Sequence, residues 1–369
     1  MKIAILSLVL HENYGGILQS YALQTVLERM GHTVEVLNRP PTYPSTKWKE
    51  IPKRIVKKLL GRDVVIFKES RYKREAATIN KAVWNFRKKY IHERIINDFS
   101  EIKESDYDCI VVGSDQVWRP KYFKSQWGCG IENAYLSFTK GWNIKRIAYA
   151  ASFGVDEWEY TEEETRLCAE AAKMFDVITV REDSGVNLVK NYFGLEATQV
   201  LDPTMLLEKE DYIKIVENNQ PLSKTGTLLT YILNSTKDKR NFIARVTREY
   251  NMVAFNLNCV FAKQNAPVEK RKLPSVEYWL KGFMDSQLVI TDSFHACVFS
   301  LIFQKYFLCI GNHVRGNSRL QSFMRTTHLN QMVDDYQKSF SLEDNIFLTC
   351  DTYINKMKKI SFNLLKDNL

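Results

Sequence analysis

The chain has 369 residues, a formal net charge of +9 and 45% hydrophobic residues. This length exceeds one ordinary core and predicts two domains of about 150 to 200 residues each. The seven cysteines include no Cys-x-x-Cys pair, which indicates reduced core thiols in a cytoplasmic protein and argues against a disulfide framework or a zinc site. No apolar stretch approaches the roughly 20 residues of a membrane span. The short apolar run at the amino terminus is interpreted as a buried first strand, not a signal segment.

The first half of the chain alternates apolar strand patterns with helical patterns. A strand is predicted at 2–9, a turn at 13–16, and a helix at 17–30 that ends at Gly31. This start has the spacing of a right-handed parallel crossover. An acidic helix is predicted at 157–175, and further strands are predicted at 34–37, 107–113, 146–151, 177–180 and 198–201.

Residues 47–94 carry most of the excess positive charge. This segment has 16 Lys and Arg against 5 Asp and Glu, and the difference of +11 exceeds the +9 of the whole chain. Aromatic and aliphatic residues alternate with the charges, so the segment resembles an interfacial helical insertion that rests on anionic lipid or a lipid-linked phosphate. Nucleic acid would satisfy the same charge. A solvated basic helix face that packs its apolar side on the domain is an equally good interpretation.

A sharp break at 202–204 predicts a junction between two α/β units. The second unit has predicted strands at 226–233, 253–257 and 288–291, and a helix at 237–250. The predicted organisation is an N-terminal domain at 1–205 with the basic insertion, a C-terminal domain at 206–345 and a helical tail at 346–369. Two successive α/β units joined by a short linker favour a two-domain enzyme with a cleft.

Residues 291–296 join a strand pattern to an apolar helix pattern and carry two titratable side chains, Asp292 and His295. In open α/β sheets ligands bind at the carboxyl ends of strands, where the next helix offers unpaired N–H groups. A histidine there is a candidate for acid or base catalysis on an anionic substrate. The alternative is an aspartate that caps the helix beside a histidine that only satisfies a buried hydrogen bond.

Other strand ends carry polar residues too. The glycine pair in 13–16 lets the backbone approach a ligand, although the motif lacks the pattern of a dinucleotide or P-loop site. Residues 113–116 follow another strand, and an ordinary turn is the simpler interpretation of that motif alone. Arg181 has donors that suit a carboxylate or phosphate, or it pairs at the surface with Glu182 or Asp183. The polar loop 311–319, with two arginines and a second histidine, could close on an anion.

Taken together, the order and spacing of six motifs resemble the polysaccharide pyruvyl transferase family along nearly the full chain. The motifs are Asn-Tyr-Gly-Gly-Ile-Leu-Gln-Ser-Tyr-Ala-Leu-Gln at 13–24, Gly-Ser-Asp-Gln-Val-Trp at 113–118, Ala-Ser-Phe-Gly at 151–154, Arg-Glu-Asp-Ser-Gly at 181–185, Leu-Asp-Pro-Thr at 201–204 and Thr-Asp-Ser-Phe-His at 291–295. The resemblance implies an α/β fold of two Rossmann-like domains that face each other across a cleft, as in GT-B glycosyltransferases.

The resemblance also implies a reaction. Phosphoenolpyruvate would be the donor, and a pyruvate ketal would form on a sugar of a capsular or exopolysaccharide glycan at the cell surface, or on its lipid-linked precursor. No cofactor is predicted beyond this co-substrate, and no clustered carboxylates or histidine pairs indicate a metal. Under this hypothesis the chain makes peripheral contact with the inner membrane through 47–94, and no nucleic acid partner is expected.

The residues that match the motifs receive expected roles. His295 is assigned to proton transfer, with Asp115 or Asp292 orienting it or sharing the role. The expected donor-binding residues are Asn13, Gly15, Gly16, Arg181, Ser293, Arg315 and Arg319. The expected acceptor-binding residues are Ser114, Gln116 and Trp118. The chain departs from better-understood relatives, which have Arg-Leu-His where it has Ser-Phe-His at 293–295, and an arginine of 311–319 is expected to replace the missing guanidinium. Ala296 stands where the nearest motifs have glycine.

Two other functions stay open from the sequence. A GT-B glycosyltransferase that uses a nucleotide sugar would share the fold and the cleft, although the chain shows no clear glutamate signature for a ribose. A non-catalytic protein could use 47–94 to bind membranes or nucleic acid, but that hypothesis leaves the polar strand ends without a role.

Overall fold

Two parallel sheets with alternating helices make up the protein, whose computed structural model describes residues 1–219, 226–258, 266–312, 317–333, 335–337 and 346–369. The strands are β1 (Lys2–Leu6), β2 (Thr33–Asn38), β3 (Glu93–Ile95), β4 (Cys109–Val112), β5 (Lys145–Ala151), β6 (Val177–Val180), β7 (Thr198–Gln199), β8 (Leu228–Tyr231), β9 (Ala254–Asn256), β10 (Leu288–Thr291), β11 (Tyr306–Ile310) and β12 (Met332–Val333). The α-helices are α1 (Tyr14–Arg29), α2 (Ile51–Leu59), α3 (Lys68–Ile79), α4 (Lys81–Tyr90), α5 (Pro120–Trp127), α6 (Glu162–Ala172), α7 (Asp183–Leu188), α8 (Lys209–Glu217), α9 (Lys237–Glu249), α10 (Val276–Asp285), α11 (Phe294–Ile302), α12 (Ser318–Thr327) and α13 (Ile346–Asn368).

Each sheet has a point where the strand order reverses. The first sheet runs β3-β2-β1-β4-β5-β6-β7 and the second runs β9-β8-β10-β11-β12, and every pairing is parallel. The order reverses beside β1 and β4 in the first sheet and beside β8 and β10 in the second. Ligands of open α/β sheets bind at such points, outside the carboxyl ends of the strands. The fold therefore directs attention to the loops that follow these strands.

The central strands are apolar on both faces because helices cover both sides of each sheet. Ile3 and Ile5 of β1 lie in a core shared by both sheets, whereas Ala4 and Leu6 lie in a second core on the opposite face of the first sheet. Val289 of β10 lies in the shared core, and its neighbours along the strand face a third core. Continuous apolar runs are typical of parallel strands buried in this way.

The shared core and the carboxyl-terminal helix hold the two halves together. Tyr14, in the first turn of α1, stacks on Trp279 of α10 with ring centroids 5.5 Å apart. Its hydroxyl donates to the carbonyl of Pro274 at 2.8 Å. Helix α13 returns to the first half, where the hydroxyl of Ser361 accepts from the N–H of Leu201 at 3.0 Å.

Several predicted elements differ from the structure. Residues 14–16 do not form a turn, because α1 already begins at Tyr14. The acidic helix begins at Glu162, five residues later than predicted, because the Thr161 side chain and that of Glu164 form a capping box there. Strands β3, β11 and β12 are not predicted. The remaining predicted strands match within a few residues at either end, and the predicted domain boundaries stay a prediction.

The basic segment 47–94 contains helices α2, α3 and α4, placed between β2 and β3. Within the ranges that the structure describes, no helix combines the length and the apolar character needed to cross a membrane.

Candidate active site

Side chains from both halves of the molecule meet at the carboxyl edges of the two sheets. The loops after β4, β6 and β7 contribute from the first half, and so does the first turn of α1. The first turns of α11 and α12 contribute from the second half. The cluster consists of Asn13, Gly15, Gly16, Ser114, Asp115, Arg181, Glu182, Asp202, Phe294, His295 and Arg319.

Arg181, which follows β6, is the centre of this cluster. Its Nη1 donates to Asp202 at 2.9 Å, its Nε donates to Glu182 at 3.0 Å, and its Nη2 lies 3.9 Å from a carboxylate oxygen of Asp115. The guanidinium also lies over the ring of Phe294, 4.3 Å from the centroid. Burial lowers the pKa of Arg181, but the charges of Glu182, Asp202 and Asp115 outweigh burial and raise that pKa above its ordinary value. Arg181 is therefore a permanent cation in the protein interior.

Asp202 binds Arg181 from the chain that follows β7. Its Oδ2 also accepts from the hydroxyl of Ser114 at 3.0 Å, and its Oδ1 accepts from the N–H and the hydroxyl of Thr204 at 3.0 and 2.7 Å. The same Oδ2 lies 3.6 Å from Nε2 of His295, which is too long for a hydrogen bond. Burial raises the pKa of this carboxyl, but His295, Arg181 and Thr204 together hold it well below its usual range. Asp202 therefore stays ionised.

His295 lies in the first turn of α11 and reaches across to the first half. Its ring packs on Gly15 in the first turn of α1, where an added Cβ would lie 2.1 Å from Nδ1. The residue is buried, and Nε2 has no hydrogen-bond partner in the described part of the chain. The ring is thus held between two helix N-termini, with one nitrogen near Asp202 that is available to a ligand.

Arg319, the second residue of α12, adds another buried guanidinium. Its pKa is lowered to about 10 by burial and by the charge of Arg181, while Asp115 and Glu182 oppose this shift. Its Nε has no hydrogen-bond partner among the described residues, and the same is true of Nη2 of Arg181. With Nε2 of His295, three buried nitrogens in this one cluster have no partner, although buried polar groups are nearly always hydrogen-bonded.

Asp115 and Asn13 connect the loop after β4 to helix α1. Asp115 has a φ of 61°, in the left-handed region that glycine, asparagine and aspartate adopt more readily than other residues. Its Oδ2 accepts from the side-chain amide of Asn13 at 3.3 Å. Asn13 occupies the N-cap position of α1 but makes no side-chain capping bond. The positive end of α1 therefore faces the cluster without its usual cap, an arrangement that suits an anion.

Most predicted site residues lie in this cluster, and the rest lie elsewhere. Ser293 is at the N-cap position of α11, and its side chain makes no capping bond. Gln116 lies beside the cluster against Gly154, and its side-chain oxygen accepts from Arg119 at 3.2 Å. Arg315 lies outside the described residues. The structure brings together Asn13, Gly15, Gly16, Ser114, Asp115, Arg181, His295 and Arg319.

Trp118, a predicted acceptor-binding residue, lies in the core and outside this cluster. The side chain is fully buried, and its indole N–H donates to the carbonyl of Ala134 at 3.1 Å. The ring stacks on Tyr135 with centroids 4.7 Å apart. A ring enclosed in the core in this way has no face left for a sugar.

Asp292, a predicted catalytic residue, belongs to a separate cluster within the second half. Its two oxygens accept from the N–H groups of Leu233 and Asn234 at 2.6 and 3.1 Å. The side chains of Lys239 and Asn312 donate to Oδ2 at 2.8 and 3.1 Å. The carboxylate is completely buried and accepts from these donors, so it joins the loops after β8 and β11 to α9.

Asp202 and Glu182 belong to this cluster, although the sequence predictions do not include them among the site residues. Asp202 entered the sequence predictions only as part of the break at 202–204. Its position directly after a predicted strand, on the same sheet edge as Arg181, could have indicated a site residue. Glu182 accepts from the hydroxyl of Ser152 at 2.7 Å and pairs with Arg181 inside the protein. The alternative for this motif was a surface ion pair of Arg181 with Glu182 or Asp183. In the structure the pair of Arg181 with Glu182 is buried, and Asp183 pairs at the surface with Arg325 instead. The described residues contain no group of three or more His, Cys, Asp or Glu side chains suited to a metal ion.

The chain is similar to a known protein family. The family model for polysaccharide pyruvyl transferase matches residues 13–314. The chain therefore belongs to the polysaccharide pyruvyl transferase family. No curated protein sequence shows significant similarity to it.

Two solved structures are similar to this chain at low sequence identity. The Arabidopsis thaliana protein UGT89C1 in complex with UDP-L-rhamnose has a TM-score of 0.52 and 10% identity, with 98% of this chain and 97% of that chain covered. UDP-GlcNAc 2-epimerase from Neisseria meningitidis has a TM-score of 0.49 and 11% identity, with 100% of this chain and 99% of that chain covered. At 10% identity the likeness to UGT89C1 concerns the fold alone, which is α/β with two Rossmann-like units and GT-B-like.

The contact between Gly15 and His295 can be tested by adding one methyl group. We expect Gly15→Ala to lower the free energy of unfolding by about 1–3 kcal/mol, because the new Cβ would overlap the imidazole. The double variant Gly15→Ala/His295→Ala should recover most of this loss in thermal and urea unfolding. A Gly15→Ala protein as stable as the wild type would contradict the packing described here.

Because Asp292 binds only groups of its own half among the described residues, we expect its substitution to lower the stability of the protein without changing its affinity for a ligand. Asp292→Asn should destabilise the protein by roughly 3–5 kcal/mol, because it leaves the buried ammonium of Lys239 without its counter-charge. Glu163→Gln, which removes an exposed ion pair with Arg166, is the matched control and should change stability little. Normal stability together with lost catalysis in Asp292→Asn would restore the catalytic role.

Proposed function

We propose that the protein transfers pyruvate from phosphoenolpyruvate to two hydroxyls of one sugar and forms a cyclic ketal. The acceptor is a cell-surface glycan, capsular or exopolysaccharide, or its lipid-linked precursor in the bacterial cytoplasm. Membership of the pyruvyl transferase family supports the reaction class. The reaction needs no resident cofactor, because the enol phosphate of the donor is itself the activated group.

The observation that carries this proposal is the set of three buried nitrogens without partners on Arg181, His295 and Arg319. Two buried guanidiniums that repel each other are stabilised by an anion between them. Phosphoenolpyruvate has two anionic groups, a carboxylate and a phosphate, and the uncapped start of α1 offers further N–H donors. We assign Arg319 and the free Nη2 of Arg181 to these two groups.

His295 is the proposed acid and base. Its Nε2 is free for a substrate atom, and the ionised Asp202 at 3.6 Å stabilises the imidazolium that forms when the ring takes a proton. The methylene carbon of the donor gains one proton, and the first sugar hydroxyl bonds to the adjacent carbon and gives up its proton. The second hydroxyl then bonds to the same carbon, and the C–O bond between that carbon and the phosphate breaks. The proton of the second hydroxyl leaves with the phosphate.

Asp115 is the proposed positioning group on the acceptor side. It lies near Arg181, has a left-handed backbone conformation and is held by Asn13, so its carboxylate has a defined direction. Gln116 is at the edge of the cluster and is the proposed contact for a sugar hydroxyl. Ser114 has its hydroxyl committed to Asp202 and acts on the site through that carboxylate.

Donor binding predicts a thermal shift that depends on Arg319. Phosphoenolpyruvate at 100 times its Kd should stabilise the wild type by about 2.7 kcal/mol. Arg319→Gln should lose this shift, and it should not be less stable without ligand because Arg181 repels the native side chain. Arg325→Gln is the matched control, since Arg325 lies on the same helix in an exposed pair with Asp183 and should keep the full shift.

The same titration separates this proposal from glycosyl transfer. A panel of nucleotide sugars is expected to give no shift in the wild type. Stabilisation by a nucleotide sugar alone, with none by phosphoenolpyruvate, would overturn the proposal.

Catalysis predicts a selective effect at His295. His295→Asn should lower turnover by about 10²-fold or more, measured as phosphate release from phosphoenolpyruvate in the presence of acceptor. His328→Asn is the control, because His328 is exposed at the end of α12 with a φ of 56°, a conformation that asparagine tolerates. Near-normal turnover in folded His295→Asn would remove this residue from the chemistry.

A further inference from the structure

Helix α2 and the residues on either side of it expose large apolar side chains to solvent. Leu59 is 82% exposed, Trp48 73% and Leu60 71%. Ile55, Val56 and Phe67 are also exposed. Six large apolar residues within 48–67 are thus exposed among the residues that the structure describes. We call these six residues the apolar surface. Contiguous exposed apolar side chains mark an interaction site.

The orientation of α2 is the reverse of that expected for a helix that packs on a domain. The residue that α2 buries is Arg54, whose guanidinium donates to both carboxylate oxygens of Glu69 at 2.8 and 2.7 Å and to Glu50. Because Arg54 faces the protein, Ile55, Val56 and Leu59 face away from it. A helix normally buries its apolar side, so this ion pair fixes α2 with its apolar side outward.

Basic residues surround the apolar surface. Lys49, Lys53, Lys58 and Arg62 are exposed around it. An amphipathic helix with an apolar face and flanking lysines lies in the plane of a bilayer, with its apolar side at the boundary between headgroups and acyl chains. Anionic lipid attracts each basic residue near the surface.

We propose that the apolar surface docks the protein on an anionic phospholipid bilayer. Two copies of the chain would bring these lysines together at a shared interface, and like charges oppose that arrangement. Nucleic acid would pair with the lysines but would leave Trp48, Leu59 and Leu60 in water. A bilayer with acidic headgroups satisfies the apolar and the basic residues at once.

The insertion also connects this surface to the active site. The hydroxyl of Tyr72 and the side-chain amide of Asn80, both from the α3–α4 region, donate to Glu12 in the loop between β1 and α1. Tyr72 also lines a cavity of about 540 Å³, together with Lys47, Lys68 and Arg271. Docking would therefore place a lipid-linked acceptor near the first turn of α1, a consequence that rests on the proposed function, whereas docking itself does not.

Vesicle flotation with the full chain tests the docking. The wild type should float with vesicles of phosphatidylglycerol and phosphatidylcholine and should bind much less to phosphatidylcholine alone. Trp48→Ser/Leu59→Ser/Leu60→Ser should lower the partition coefficient by at least about tenfold. Val253→Ser, at a valine that is exposed outside the apolar surface, is the matched control and should bind as the wild type does.

The lysines have a separate, salt-dependent effect. Each of Lys49→Gln, Lys53→Gln and Lys58→Gln should lower the partition coefficient by about fivefold at low salt, since one basic residue near an anionic surface contributes about 1 kcal/mol. The effect should shrink as salt is added, because exposed charges are screened. Thermal unfolding of each variant checks that the fold is intact.

The outcomes distinguish docking from its alternatives. Failure of the wild type to float with anionic vesicles, or equal flotation of the triple serine variant, would overturn the proposal. A wild-type dimer that becomes a monomer in the triple variant, without vesicle binding, would assign the surface to a second copy. Binding to RNA that survives the triple serine change, without flotation, would assign the basic residues to nucleic acid. Wild-type vesicle binding together with no thermal shift from phosphoenolpyruvate would support docking and count against the proposed function only.

Discussion

The buried guanidinium of Arg181 is the constraint on which the site depends. Removing such a charge from water costs several kcal/mol unless carboxylates surround it with good geometry. Those carboxylates are Asp115, Glu182 and Asp202, which follow β4, β6 and β7. Three strand ends must therefore stay in register at one edge of the sheet, and Ser152 at the end of β5 ties Glu182 into the same arrangement. The order of the strands in the sheet brings these carboxylates together and so makes a buried arginine possible here.

The second half of the molecule adds an imidazole and a guanidinium to this cluster without adding carboxylates. His295 comes close to Asp202, and Arg319 comes close enough to Arg181 for repulsion to lower its pKa. Phe294 covers the guanidinium of Arg181 from the same side. The carboxylates that stabilise Arg181 and the guanidinium of Arg319 that repels it both lie where the two halves meet. An anion bound there would therefore stabilise the contact between the two halves. Ligand binding and the packing of Gly15 against His295 are thus parts of one interface.

The strands were predictable where burial on both faces leaves a continuous apolar run, as in β1, β4 and β10. Strand β11 was not predicted, because only Phe303, Gln304 and Lys305 separate it from the apolar helix α11, which is too short a break to indicate a new element. Strands β3 and β12 have three and two residues, too few to show a period. A local pattern identifies an element only when several polar or turn residues separate it from the next element.

The sequence predicted which strand ends form the candidate site. It did not predict the direction in which each side chain points. Asp292 and His295 are three residues apart, yet one carboxylate binds donors of its own half and the imidazole crosses to Gly15. The same limit holds for Arg54, a basic residue that is buried because Glu69 faces it from α3. Composition shows that 47–94 is basic and apolar, but only this ion pair determines which side of α2 meets the solvent. A side chain's partner across the fold decides its role, and that partner is distant in sequence.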